Sequence, residues 1–132
     1  MIHLTWNEFD QAVDAITAAC RDLKLNGVYG VPRGGLPLAV ALSHRLNLPL
    51  AIVPSDPRVL VVDDICDSGR TLSYLRNEFG YRLGRIWVWV TREAAPRDYH
   101  AVRAGIGEEW VVFPWEDPAQ ADQDRQDYEA RR

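Results

Sequence analysis

Residues 59–71 read VLVVDDICDSGRT, an order of residue types suited to phosphate chemistry. The apolar run 59–62 delivers two adjacent carboxylates, Asp63 and Asp64, to its carboxyl end. The turn Asp67, Ser68, Gly69, Arg70 and Thr71 then offers consecutive backbone N–H groups where a helix begins, a ready seat for a phosphate. Gly69 lets the backbone approach closely, and the Ser68 and Thr71 hydroxyls add hydrogen bonds. Adjacent acids do nothing for a phosphate alone. They make sense if the ligand also carries ribose hydroxyls or a magnesium ion. One such acid would read as a strand end or a helix cap. Two acids, a third, and Ser-Gly-x-Thr in that order point to a site.

The surrounding sequence supplies elements that can position this segment. Thr5 and Glu8 form a capping box, so a helix should open near Trp6. Phe9, Val13, Ile16 and Cys20, with Ala12 and Ala19, then fall on one face, and Asn26-Gly27 ends it. Residues 28–31 read as a short buried strand, 32–35 as a turn and 36–46 as a second helix. Residues 50–53 read as a strand. Residues 59–63 are apolar enough for a parallel strand buried on both faces. Residues 71–79 form a third helix pattern and 86–90 another central strand, with shorter strands near 99–101 and 110–112. This alternation predicts an open, mostly parallel α/β sheet flanked by helices. The domain is expected over 1–116. Residues 117–132 are expected as a polar tail, a frayed helix or a disordered end.

The bulk composition narrows the function. A chain of 132 residues, 47% hydrophobic and 26% charged, suits one globular domain. Its net charge of −4 argues against broad nucleic-acid binding. No stretch is apolar enough to span a membrane, and the N-terminus does not read as a signal peptide. Cys20 and Cys66 lack any zinc spacing and read as reduced thiols of a cytoplasmic protein. His3, His44 and His100 form no motif.

The segment resembles the phosphoribosyl pyrophosphate (PRPP) signature of the type I phosphoribosyltransferases: an apolar strand, two acids, two residues, then D-[ST]-G-x-T. The resemblance implies that Asp63 and Asp64 serve the ribose hydroxyls and magnesium-bound PRPP. It implies that Asp67 to Thr71 cradle the 5′-phosphate, with Asp67 also the base near purine N7. Arg33, Gly34 and Gly35 stand after the first strand, where that family places its pyrophosphate loop. There the glycine N–H groups and the arginine cation would meet the pyrophosphate. The family also implies a cis peptide between Pro32 and Arg33.

The flanks 4–6 and 109–116 are similar to those of the bacterial xanthine–guanine phosphoribosyltransferases. By that similarity Trp110 stacks on the purine, and Val111 reads its edge through the backbone. Arg92 is the nearest match to a lysine that contacts the purine 6-oxygen. Trp115 is read as core, and Trp87 and Trp89 as core or dimer contacts. The implied activity is transfer of the 5-phosphoribosyl group from PRPP to a 6-oxopurine, with magnesium, by a homodimer. One departure stands out. Only residues 54–58 separate the strands 50–53 and 59–63, where the family carries a long flexible lid. Its absence leaves open a non-catalytic PRPP- or nucleotide-binding regulatory module.

Overall fold

A computed structural model describes residues 1–131. The chain divides into two compact units, Met1–Gln11 with the segment from Glu108 onward, and Ala12–Gly107.

The larger unit is built on a four-stranded, wholly parallel sheet. Its strands are β2 (Gly27–Gly30), β3 (Val59–Cys66), β4 (Ile86–Arg92) and β5 (His100–Ile106), adjacent in that order. Val28, Leu60, Val61, Val62 and Val88 are completely buried, as strands covered on both faces require. Helix α2 (Leu36–Leu46) turns Leu38, Ala39 and Leu42 inward and lies along β2 and β3. Helix α3 (Arg70–Phe79) contributes Leu72 and Leu75 to a cluster with Val31, Val61, Ile86 and Val88. Each fully buried leucine of this kind contributes about 1.5–3 kcal/mol.

One local pairing sets the functional geometry. Leu50 bridges Val28 in parallel, held by Val28 N–H donating to Pro49 O (3.0 Å) and Ala51 N–H donating to Val28 O (2.7 Å). The chain therefore leaves β2, passes through α2 to the outer edge of β2, and then crosses to β3 on the other side. Strand order reverses between β2 and β3. In open α/β sheets such a reversal opens a crevice at the carboxyl ends of the strands, where ligands bind.

The smaller unit pairs β1 (Ile2–His3) with β6 (Val111–Val112) in parallel. The capping box forms as expected: Glu8 N–H donates to Thr5 Oγ1 (3.1 Å), and Thr5 N–H donates to Glu8 Oε1 (3.2 Å). It opens helix α1 (Trp6–Cys20), whose chain continues into the larger unit. Trp115 lies in an aromatic group with Trp6, Phe9 and Phe113, at ring separations of 5.1–6.4 Å. That agrees with its reading as core. Helix α4 (Ala121–Arg131) closes the described chain.

Several expectations need correction. Helix α1 stops at Cys20, well before Asn26, whose side chain instead donates to Asp56 Oδ2 (2.9 Å). Ala19 is exposed and does not share the buried face. The strand expected at 50–53 contracts to the Leu50 bridge. It lies on an edge between Pro49 and Pro54, neither of which can donate to a ladder, and Ile52 is 92% exposed. The short strand near 99–101 extends to Ile106 and pairs in parallel with β4. The polar tail contains a regular helix rather than only a frayed end. Asp63 and Asp64 do not end their strand: pairing with β4 runs on to Cys66.

Candidate active site

Two loops leave the sheet on either side of the reversal. The first follows β2 and runs from Val31 to Gly35, where α2 starts. Val31 N–H donates to Val62 O (2.9 Å), which ties the loop to β3, and Gly35 N–H closes the turn on Val31 O (2.8 Å). The peptide between Pro32 and Arg33 is cis, as the resemblance implied.

The glycines are required by what they touch. A Cβ on Gly34 would fall inside the carboxylate of Asp64, and one on Gly35 would lie 2.5 Å from Val62 O. The loop thus seats directly against the acid of the second segment. Neither glycine carries an unusual φ, so close approach alone explains both.

The second loop follows β3. Gly69 has φ +86°, the left-handed conformation that glycine adopts without strain, and caps α3 with no side-chain hydrogen bond. A Cβ there would also meet Pro96 Cγ at 2.8 Å. Ser68, Arg70 and Thr71 are exposed around the helix start. Ser68 Oγ accepts from Arg70 N–H at 3.4 Å, a long bond that a ligand can replace. An uncapped helix N-terminus with exposed hydroxyls suits an anion.

Between the loops stand the two acids. Asp63 is 8% exposed and accepts from the Asp64 N–H (2.9 Å), while Asp64 accepts from the Ile65 N–H (2.8 Å). Burial, then the neighbouring Asp64 charge, pushes the Asp63 carboxyl up to about 9. Burial also raises Asp64. Half-buried Tyr29 is raised by burial and by the Asp63 charge. Such a pair favours a proton or a cation between its oxygens. Among the described residues no cluster of three His, Cys, Asp or Glu side chains could hold a metal by itself. The two carboxylates nevertheless fit magnesium, a hard cation that commonly takes one or two protein carboxylates and completes its shell with water and substrate phosphates.

Arg92, the last residue of β4, is buried. Its Nε lies 3.4 Å from Asp67 Oδ1, and its guanidinium donates to Gly107 O (2.6 Å). The fork is therefore engaged with the candidate base, a contact for which sequence spacing carried no signal. Thr91 beside it is joined to Tyr99 through their hydroxyls, bracing the end of β4.

Arg33, Gly34, Gly35, Asp63, Asp64, Asp67 to Thr71 and Arg92 all belong to the larger unit. Trp110 and Val111 belong to the smaller one. Trp110 is half-buried, 5.6 Å from the Tyr128 ring. Ile2 N–H donates to Trp110 O (2.8 Å) and Leu4 N–H to Val112 O (2.9 Å). Alternate residues of a strand present their backbone groups to opposite edges, so Val111 turns its N–H and C=O away from β1.

Comparison with known proteins places this arrangement. A purine phosphoribosyltransferase from Pyrococcus horikoshii is 30% identical, with a TM-score of 0.72 over 88% of this chain and 94% of that one. The chain belongs to the type I phosphoribosyltransferase family. A xanthine–guanine–hypoxanthine phosphoribosyltransferase from Helicobacter pylori shares the fold at 19% identity, with a TM-score of 0.70 over 96% of this chain and 98% of that one. A hypothetical protein from Neisseria gonorrhoeae with bound ppGpp does so at 20% identity, with a TM-score of 0.70 over 99% and 97%. No family model and no curated protein matches the chain.

As in the family signature, the acids lie late in one strand with the Asp67–Thr71 turn directly after it, and the Arg-Gly-Gly loop follows the neighbouring strand. The phosphoribosyltransferase fold is present without a long insertion, since residues 47–58 alone connect α2 to β3.

Proposed function

We propose that this phosphoribosyltransferase transfers the 5-phosphoribosyl group from PRPP to a 6-oxopurine, giving a nucleoside monophosphate and pyrophosphate. The seating of Gly34 on Asp64 carries the reading, because it sets the Arg-Gly-Gly loop against the acid pair that precedes the phosphate turn. In this reading Thr71, Ser68, Arg70 and the Gly69 backbone bind the 5′-phosphate. Asp63 and Asp64 take the ribose hydroxyls and the metal-bound PRPP. Arg33, with the Gly34 and Gly35 amides, binds the pyrophosphate.

The bond from C1 of the ribose to pyrophosphate breaks as a purine ring nitrogen bonds to that carbon. The proton lost from the purine passes to Asp67. Arg92 holds Asp67 in place rather than reaching the purine 6-oxygen, which revises the role implied by resemblance. Trp110 stacks on the base, and the outward backbone of Val111 meets its edge. Bound magnesium would neutralise charge on the departing pyrophosphate. Buried, unpaired Cys20 and Cys66 suit a reducing cytoplasm.

The short 47–58 connection favours a second reading, a binding module without turnover. A ribosyl cation-like state is captured by water unless the site is covered. In the catalytic reading a second copy of the chain provides that cover. The deciding assay combines protein, PRPP, magnesium and a panel of bases, monitored for nucleotide, beside light scattering. Nucleotide formation with guanine, xanthine or hypoxanthine by a dimer supports the enzyme. Tight PRPP binding with no product from any base supports the regulatory module. Fast turnover by a strict monomer contradicts the need for a cover.

A further inference from the structure

We infer that the opposite end of the sheet carries a second anion site, which takes a small ligand bearing several phosphates. The amino ends of the strands border an open depression of about 500 Å³. Lys24, Arg58, Arg85 and His100 line it, over an apolar floor of Leu23, Leu25 and Leu83. Residue 58 immediately precedes β3, residue 85 immediately precedes β4, and His100 opens β5. The topology of a parallel sheet therefore brings these basic residues together at one end. The phosphate loop lies beyond the other end of β3, roughly 25 Å away for a strand of this length.

The charged side chains that line this concavity are of one sign. The protein is net acidic at −4, yet none of the described residues lining this depression is an acid. Two arginines elsewhere in this unit are neutralised by carboxylates: Arg45 pairs with Asp14 at 2.5 Å, and Arg76 with Asp98 at 2.9 Å. Among the described residues Arg58 has only Asp56 at 3.6 Å, whose carboxylate already accepts from Asn26 (2.9 Å) and from the Arg58 N–H (2.8 Å). Lys24 and Arg85 have no carboxylate partner among the described residues.

Arg85 instead points its guanidinium at His100 Nε2, 3.3 Å away. The imidazole is held there by stacking on Trp87, at 4.9 Å and 17° between planes. In that contact the guanidinium donates to His100 Nε2, and Arg85 lines the same depression as Lys24 and Arg58. Three cations placed around one concavity repel each other unless an anion sits between them. A guanidinium fork matches phosphate oxygens, and the apolar floor suits the organic part of a phosphorylated metabolite. A volume of about 500 Å³ is within the range of small-molecule sites.

The test uses the full chain, with inorganic tripolyphosphate as probe, followed by amide NMR at 0.15 M salt. Saturable shifts are expected at residues 23–25, 84–85 and 100. They should persist in the Arg33→Ala/Thr71→Val variant, which disables the PRPP loops. In Lys24→Ala/Arg85→Ala the affinity should fall at least about tenfold. These side chains are exposed, so that variant should keep the wild-type melting temperature. Shifts confined to residues 69–71, non-saturating shifts at 24 and 85, or undiminished affinity in the double variant would overturn the site. So would a single-stranded oligonucleotide that binds these residues while tripolyphosphate does not.

Discussion

Arg92 Nε sits 3.4 Å from Asp67 Oδ1, so the buried end of β4 holds the acid that opens the phosphate turn. Their proximity joins two segments that are 25 positions apart. It also occupies the guanidinium of Arg92, the nearest basic residue to the lysine that the family resemblance implies. A planar fork can serve Asp67 and the Gly107 carbonyl together, which a single ammonium cannot do as well.

Arg92→Ala should therefore lower stability by about 1.5–3 kcal/mol, from the lost charged hydrogen bond to Gly107. It should also lower kcat more than it raises the KM for PRPP. Arg92→Lys should recover part of both. Denaturant midpoints and steady-state kinetics on the three proteins check this. A purely structural arginine would change the midpoint and leave kcat intact.

The Asp63 carboxyl, raised from 3.8 to about 9, makes stability pH-dependent. Below pH 4 the folded and unfolded chains are both protonated there, and the group contributes no slope. Between about pH 4 and 9 the folded chain retains a proton that the unfolded chain has lost. Unfolding then releases a proton, so stability falls as pH rises, by up to about 1.4 kcal/mol per unit. Without divalent cations, Asp63→Asn should flatten this decline and be more stable than wild type at pH 8. Thermal melts in chelator from pH 5 to 9 measure it, and parallel curves for the two proteins would exclude Asp63 as the source.

The loop glycines should fail for different reasons. Gly34→Ala drives a methyl into the Asp64 carboxylate and should weaken PRPP binding while leaving the core intact. Gly69→Ala forces a side chain into a left-handed φ and against Pro96, which should cost about 1–3 kcal/mol of stability as well as phosphate affinity. Thr71→Val, exposed at the helix start, should lose about 1.5–3 kcal/mol of 5′-phosphate binding with an unchanged melting temperature. Calorimetry with PRPP alongside thermal melts separates the three. Wild-type PRPP affinity in Gly34→Ala and Thr71→Val would remove the cradle.

Trp110→Ala should reduce purine affinity by about 1–3 kcal/mol, the worth of one stacked base, and leave PRPP affinity nearly unchanged. Competition binding with guanine and with PRPP tests each separately. A wild-type preference for uracil or orotate would count against a purine partner.

Much of the site was legible in the linear chain because its chemistry is local. The order apolar run, Asp63, Asp64, Asp67, Ser68, Gly69, Thr71 dictates a strand, a turn that needs φ > 0 and a helix start within a dozen residues. Helical periodicity likewise marked the buried positions 9, 13, 16 and 20 of α1. What only tertiary structure decided is non-local. Leu50 could pair on either side of β2, and its choice of the outer edge places the strand reversal, and hence the crevice, between β2 and β3. Gly34 is small because Asp64 of another strand fills the space beside it, and Arg92 turns to Asp67 because neighbouring strands align their ends. Residues 50–53 have strand-forming side chains, yet Pro54 and the open sheet edge leave them little ladder to join. Side-chain type and spacing encode such local geometry. Pairing partners and strand order depend on which distant surfaces are buried together, and no short stretch of sequence carries that information.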